Sequence, residues 1–322
     1  MRALAVAGVL AVALAACSSQ GGASQAANNS GPAAGNTGGK QYTIAMVTHE
    51  APGDSFWDKI RAGAQQAARE LNVNLKYSNN NDAGQQATLV QNAIDSKVDG
   101  LAVTLAYADQ VGPAAQKAVT AGIPTVAFNS GINEYQKYGI GMYFGSDESL
   151  AGQSAGKKMT AGGKAVCVVQ EQGSVALEAR CAGVKATFPN TENLQVNGTD
   201  LPSVQQTINA KLQQDPSITY VVTLGAPTAL AALQAQQGTG SKAKIVTFDL
   251  NADVANAIKA GTIEFSIDQQ PYVQGYMAVQ ALWLNLTNGN DIGGGKPVLT
   301  GPSFVDKSNI EKIATYAANN TR

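Results

Sequence analysis

Residues 42–78 read YTIAMVTHEAPGDSFWDKIRAGAQQAARELNVNLKYS, and their pattern decides the fold. Tyr42–Thr48 is a short apolar run without polar alternation, as expected of a strand covered on both faces. Trp57, Ile60, Ala64, Ala67 or Ala68, and Leu71 then recur at i, i+3, i+4 spacing, which is one apolar stripe of a helix. Leu75–Ser78 is the next strand. Strand, helix, strand is the repeating unit of a parallel α/β sheet.

The alternation continues through the chain. Further strands are expected at Gly100–Leu105, Thr125–Asn129, Gly141–Gly145, Ala165–Gln170, Leu194–Gly198, Tyr220–Leu224, Lys244–Phe248 and Ile263–Asp268. A helix over Asn251–Ala260 is marked by Asn251 at its N-cap and Gly261 just past its end. About ten units exceed one small sheet, and they divide into two five-strand halves more readily than into an eight-unit barrel. The fold class is therefore α/β, with two doubly wound parallel-sheet domains that part near Ser146-Asp147.

Composition narrows the function. The 322 residues are 44% hydrophobic and 14% charged, with 22 basic against 23 acidic side chains. That is ample for a core and offers no basic surface to grip nucleic acid. One histidine and three cysteines leave no expected zinc site and no expected metal or cofactor.

The amino terminus reads as a targeting signal. Arg2 precedes an apolar run, Ala3–Ala16, that is too short to span a bilayer. Leu14-Ala15-Ala16-Cys17 resembles the lipobox of bacterial lipoproteins. Residues 1–16 are then the signal peptide, and Cys17 the lipidated first residue. Residues 17–40, rich in Gly, Ser, Ala and Asn, would be a tether about 25 Å long on average. The protein is accordingly expected outside the cytoplasm, anchored to the cell membrane by lipid. Cys167 and Cys181 remain, either bonded between a strand and its following helix or buried as two thiols.

No enzyme assembles from these residues. His49 is the only histidine, and no nucleophile elbow, dinucleotide fingerprint or P-loop is present. Gly293-Gly294-Gly295 follows a helix and reads as a turn. Asp147-Glu148 open a helix, where capping and the helix dipole account for them.

Ligands of open α/β sheets bind beyond the carboxyl ends of the strands. This chain places His49, Asp54, Phe56 and Trp57 after the first strand, Tyr107 after the third, and Asn129 and Ser130 after the fourth. Glu171, Arg180, Gly225, Asp249 and Gln269 follow in the second half. Rings mixed with Asn, Asp, Gln and Arg suit a polyol, whose C–H faces stack while its hydroxyls both donate and accept. The competing structural roles are a core Trp57, a capping Asp249, an Arg180 paired with Glu178 or Glu171, and a His49 that only closes a strand end.

These residues and their flanks resemble the type I periplasmic binding proteins, in particular the ribose-binding-like lipoproteins of ABC importers. The markers are Ile44–Val47 with Gly53–Trp57, Ala121–Val126, Arg180–Gly183, Val246–Asp249 and Asp268–Pro271. Asn129-Ser130 and Gly225-Ala226 depart from the Asp-Arg and Asn-Asp pairs of ribose-type members, which argues against ribose itself. The resemblance implies three hinge crossovers, near Ser146–Asp147, Gln269–Gln270 and Leu299–Pro302. It also implies lobes of 41–146 plus 270–300 and 147–269 plus 301–322. A small neutral sugar or sugar alcohol would be captured by closure and handed to an ABC transporter permease by a monomeric protein. A sensor delivering the same ligand to a membrane receptor and a nucleoside-binding lipoprotein share this architecture.

Overall fold

The computed structural model describes residues 39–322. In chain order the elements are β1 (Thr43–Thr48), α1 (Phe56–Glu70), β2 (Asn74–Asn79), α2 (Ala83–Asp95), β3 (Gly100–Val103), α3 (Ala108–Thr120), β4 (Thr125–Phe128) and β5 (Met142–Ser146). They continue with α4 (Glu148–Lys158), β6 (Lys164–Val169), α5 (Val175–Thr187), β7 (Thr191–Gln195), α6 (Leu201–Gln214), β8 (Ile218–Thr223), α7 (Ala226–Thr239) and β9 (Lys244–Phe248). The chain closes with α8 (Ala252–Ala260), β10 (Phe265–Asp268), α9 (Pro271–Asn288), β11 (Val298–Gly301), β12 (Ser303–Asp306) and α10 (Ile310–Ala318).

Two six-stranded sheets result, ordered β11-β5-β4-β3-β1-β2 and β12-β10-β9-β8-β6-β7. Both are parallel except for β12, which pairs antiparallel with β10. The apolar runs fill the central positions. Residues 44–48 and all of β3, β4 and β5 are buried, whereas the edge strands β2 and β7 alternate in exposure. Helices cover both faces of each sheet, so each lobe has two apolar layers. Asp82, Asp147, Asp200 and Asn251 cap α2, α4, α6 and α8, each accepting a backbone N–H with its side chain.

The reading of the sequence is corrected at three places. Each lobe gains a sixth strand from the stretch 298–306, whose four-residue strands hold only two large apolar residues each and so carry little pattern to read. The strand expected at Leu194–Gly198 is Thr191–Gln195, because Asn197 forms a turn through Thr199 and the half-buried edge strand lacks a continuous apolar run. Lys40, expected in the tether, ion-pairs with Asp99 at the start of β3. The expected signal peptide, Cys17 and most of the tether lie outside the described residues.

The chain passes between the sheets three times: at Ser146–Glu148, Asp268–Pro271 and Gly301–Ser303. These strands of chain hold the lobes so that the carboxyl ends of both sheets face one cleft.

Candidate functional site

The loops leaving β1, β4, β6, β8, β9 and β10 toward the cleft contribute to one cavity. His49, Asp54, Phe56 and Trp57 come from the β1–α1 connection, and Asn129 and Ser130 follow β4. Opposite them stand Gln170, Glu171 and Ser174 after β6, Arg180 on α5, Gly225 after β8, Asp249 after β9 and Gln269 after β10. The space between them is about 380 Å³, counted out to its opening. Eleven of the twelve expected residues meet here. Tyr107 does not: it lines an adjoining outer chamber, because β3 ends at Val103 and three further residues carry the chain outward before Tyr107.

Asn129 and Asp249 occupy equivalent strand ends, and both have φ of 65°. Asn and Asp are among the few side chains that accept this left-handed backbone. The turn aims each side chain back over the sheet. Gln269 donates from Nε2 to Asp249 Oδ1 at 2.9 Å, and its Oε1 accepts from Gln274 at 3.3 Å and Asn129 at 3.4 Å. Ser130 Oγ donates to Asn129 Oδ1 at 2.9 Å. One network thus spans β4, the β10–α9 crossover and β9.

Arg180 is held by a partner that the sequence did not suggest. Glu148, the first residue of α4 after the first crossover, accepts from Nε at 2.5 Å and from one terminal nitrogen at 3.1 Å. The other terminal nitrogen donates to Leu224 O at 3.0 Å and lies 3.9 Å from Asp249 Oδ2. The guanidinium also covers the Phe248 ring, 4.8 Å from its centroid. Capping at this helix start belongs to Asp147 alone, and neither Glu178 nor Glu171 takes the guanidinium. Arg180 and Glu148 are both buried; burial opposes the arginine's charge, but Glu148, with Asp249 and Glu171 adding, outweighs it and raises the guanidinium pKa.

His49 illustrates how a tautomer is fixed. Thr104 Oγ1 accepts from the His49 N–H at 3.1 Å and from Gln86 Nε2 at 3.0 Å, so both of its lone pairs are used. Its one proton must then point at His49 Nδ1, 2.7 Å away. The imidazole proton is left on Nε2, which faces Glu171 Oε2 at 3.8 Å. This approach is not an ion pair: burial, with Arg180 adding, lowers the His49 pKa to about 3. Burial raises Glu171 to about 7, with Asp54 adding and Arg180 opposing. Asp249 is likewise raised to about 7 by burial against the pull of Arg180.

The rings form an apolar corner. Trp57 meets His49 edge-on at 4.7 Å and Phe56 edge-on at 5.2 Å. Phe56 and Trp57 are both buried in the first-lobe core and both border the cavity. Cys167 and Cys181 form a disulfide between β6 and α5, with Cα atoms 5.8 Å apart.

Sequence reasoning missed Gln170, Ser174 and Glu148. Gln170 and Ser174 stand on the same strand-end loop as Glu171, so the rule that found Glu171 could have found them. Glu148 carried no signal, since it pairs with a residue 32 positions away. Gln170 Oε1 and Ser174 Oγ are buried without a hydrogen-bond partner among the described residues, in a cavity where a ligand could supply one. The same residues hold no cluster of His, Cys, Asp and Glu arranged for a metal.

Comparison with known proteins gives a consistent picture. Residues 44–291 match the family described as periplasmic binding protein domain. A solved carbohydrate transporter from Acidothermus cellulolyticus, in complex with myo-inositol, is 53% identical, with a TM-score of 0.87 over 88% of this chain and 100% of that one. A xylitol-binding protein of Mycolicibacterium smegmatis is 28% identical over 80% of this chain and 72% of its own. A xylose/arabinose-binding protein of Sulfolobus acidocaldarius is 22% identical over 84% and 72%.

Proposed function

The chain belongs to the periplasmic binding protein family, of type I fold, and from that premise we propose that it captures a neutral cyclic polyol of the myo-inositol kind for an ABC-type importer. The observation that carries this reading is the polar balance of the cavity. Asp54, Glu171 and Asp249 offer carboxyl oxygens, Arg180 and His49 Nε2 offer N–H groups, and Gln170 and Ser174 have unpartnered oxygens. A molecule with a hydroxyl on every ring carbon satisfies many acceptors at once. An anion would meet three carboxyls against one guanidinium that Glu148 already neutralises. Phe56 and Trp57 give a C–H face something to rest on. The 53% identical structure with myo-inositol supports the ring size.

In this reading the ligand contacts are His49, Asp54, Phe56, Trp57, Asn129, Ser130, Gln170, Glu171, Ser174, Arg180, Gly225, Asp249 and Gln269. The moving lobes are 41–146 with 270–300, and 147–269 with 301–322. Closure buries the ligand between them, and the closed monomer is what a permease receives. Cleavage before Cys17 and its acylation hold the protein at the outer face of the membrane, and mass spectrometry of protein from the native membrane detects or refutes those chains.

Calorimetry against myo-inositol, xylitol, xylose, arabinose and ribose tests the ligand class. Binding of myo-inositol, lost by about 1.5–3 kcal/mol in Arg180→Ala, is the expected result. Silence toward all five, with binding of an amino acid or a nucleoside, defeats it.

A further inference from the structure

The cleft does not end at the polyol site. Beyond it lies an outer chamber of about 940 Å³, counted out to its opening, against about 380 Å³ for the inner one by the same measure. Asp54, Gln170, Glu171 and Gly225 border both chambers, so the two adjoin along a wall made by these four residues. Gly225 contributes no side chain to that shared wall. A Cβ there would stand 3.2 Å from Gln170 Nε2, in the wall the two chambers share. Gln170 in turn presents its unpartnered buried Oε1 at the junction.

The walls of the outer chamber have a definite chemistry. Tyr107, Leu201 and Pro227 supply apolar surface, and Leu201 is 39% exposed although it lies inside the cleft. Asn81, Asn197 and Thr199 supply polar groups. Asn197 Oδ1 already accepts from Thr199 Oγ1 at 2.7 Å, which leaves the Asn197 amide hydrogens as donors. Among the described residues, the only ionisable side chains lining the wall besides Tyr107 are the acids Asp54 and Glu171.

We infer that the outer chamber is a second sugar subsite, and that the protein binds polyols bearing an O-linked glycosyl ring, the polyol in the inner site and the glycosyl ring beside Tyr107. A pyranose has the required faces: C–H groups for the tyrosine, leucine and proline, and hydroxyls for the amides. A phosphate substituent is disfavoured, since two acids and no cation face it. This inference rests on the polyol reading of the inner site.

The test is calorimetry of the full mature chain with myo-inositol and with an O-galactosyl-myo-inositol. The galactoside should bind within tenfold of myo-inositol or more tightly. Thr199→Trp, which projects a bulky ring into the chamber from an exposed loop position, should weaken the galactoside at least tenfold and change myo-inositol less than twofold. Thr199→Ala, which keeps the room, should leave both within threefold. An unaltered melting temperature in both variants shows that they fold. Binding of myo-inositol without the galactoside overturns the second subsite, as does a galactoside affinity indifferent to Thr199→Trp. Failure of myo-inositol and every other simple polyol instead overturns the reading of the inner site, and this inference with it.

Discussion

Three buried ionisable groups at the cleft titrate in a window where free side chains would behave differently. Asp249 and Glu171 have ordinary values of 3.8 and 4.5, and in the fold both rise to about 7. Between these limits the folded chain holds protons that the unfolded chain has lost, so their contribution to stability falls as pH rises from about 4 to about 7. His49 works the other way, being lowered from 6.5 to about 3. Below 6.5 the unfolded chain binds its proton first, and that contribution rises with pH up to about 6.5. Two carboxyls outweigh one imidazole. Thermal unfolding of the ligand-free protein from pH 4.5 to 7.5 should therefore show a cleft contribution that declines with pH. The double variant Asp249→Asn, Glu171→Gln removes these two contributions and keeps those of His49 and of Asp54, whose carboxyl burial also raises. Subtracting wild type from variant should give a difference in stability that grows steadily across this range. A flat difference would mean that the two carboxyls titrate normally.

At the scale of elements, the helices nearest the hinge approach each other through glycine. A Cβ on Gly152 of α4 would lie 2.1 Å from the Arg180 carbonyl oxygen on α5, and one on Gly183 would lie 2.4 Å from Ser149 O. The first lobe uses the same device: a Cβ on Gly63 of α1 would meet Tyr272 O of α9 at 2.0 Å, and one on Gly275 would meet Ile60 O at 2.0 Å. In each case the obstacle is backbone, which cannot rotate away. The α4–α5 contact also sets the position of Arg180 and Glu148, one on each helix. Gly152→Ala and Gly275→Ala should each destabilise the protein by about 1–3 kcal/mol in urea unfolding. Gly152→Ala should weaken ligand binding as well, since it displaces the Arg180 segment. Gly261, at φ 79° just past α8, is the other use of the residue, closing that helix where a side chain would strain the backbone.

For the whole molecule, the relation between the lobes depends on a few contacts away from the hinge. The Val175 N–H, on the second lobe, donates to the Ala106 carbonyl of the first at 3.0 Å. Tyr107 approaches Gly173 beside it. Val175 is the first residue of α5, a position where proline is well accommodated, and Ser174 before it is already extended at ψ 111°. Val175→Pro should thus keep the helix and remove the bond across the cleft. The expected result is a roughly tenfold loss of ligand affinity (about 1.4 kcal/mol) with a faster off-rate and an unchanged melting temperature without ligand. Equal affinity in wild type and variant would remove this contact from the closing mechanism.

The strands, their order along the chain and the fold class were legible in the sequence because they depend on local patterns. Apolar runs between amphipathic alanine-rich stretches determine which residues are covered, and Asn251 and Gly261 mark a helix end to end within eleven residues. The strand-end rule likewise found most of the cavity, since a loop leaving a parallel strand must face the cleft. The tertiary structure alone decided what joined across the chain. Glu148 lies 32 residues from Arg180, Asn129 lies 140 from Gln269, and Thr104 orients His49 from 55 positions away. The strands that complete each sheet, β11 and β12, are defined by their neighbours β5 and β10 rather than by their own four residues. Burial supplies the reason: the sequence records which side chains avoid water, but the partner of a buried polar group is fixed only by the geometry that removes both from solvent.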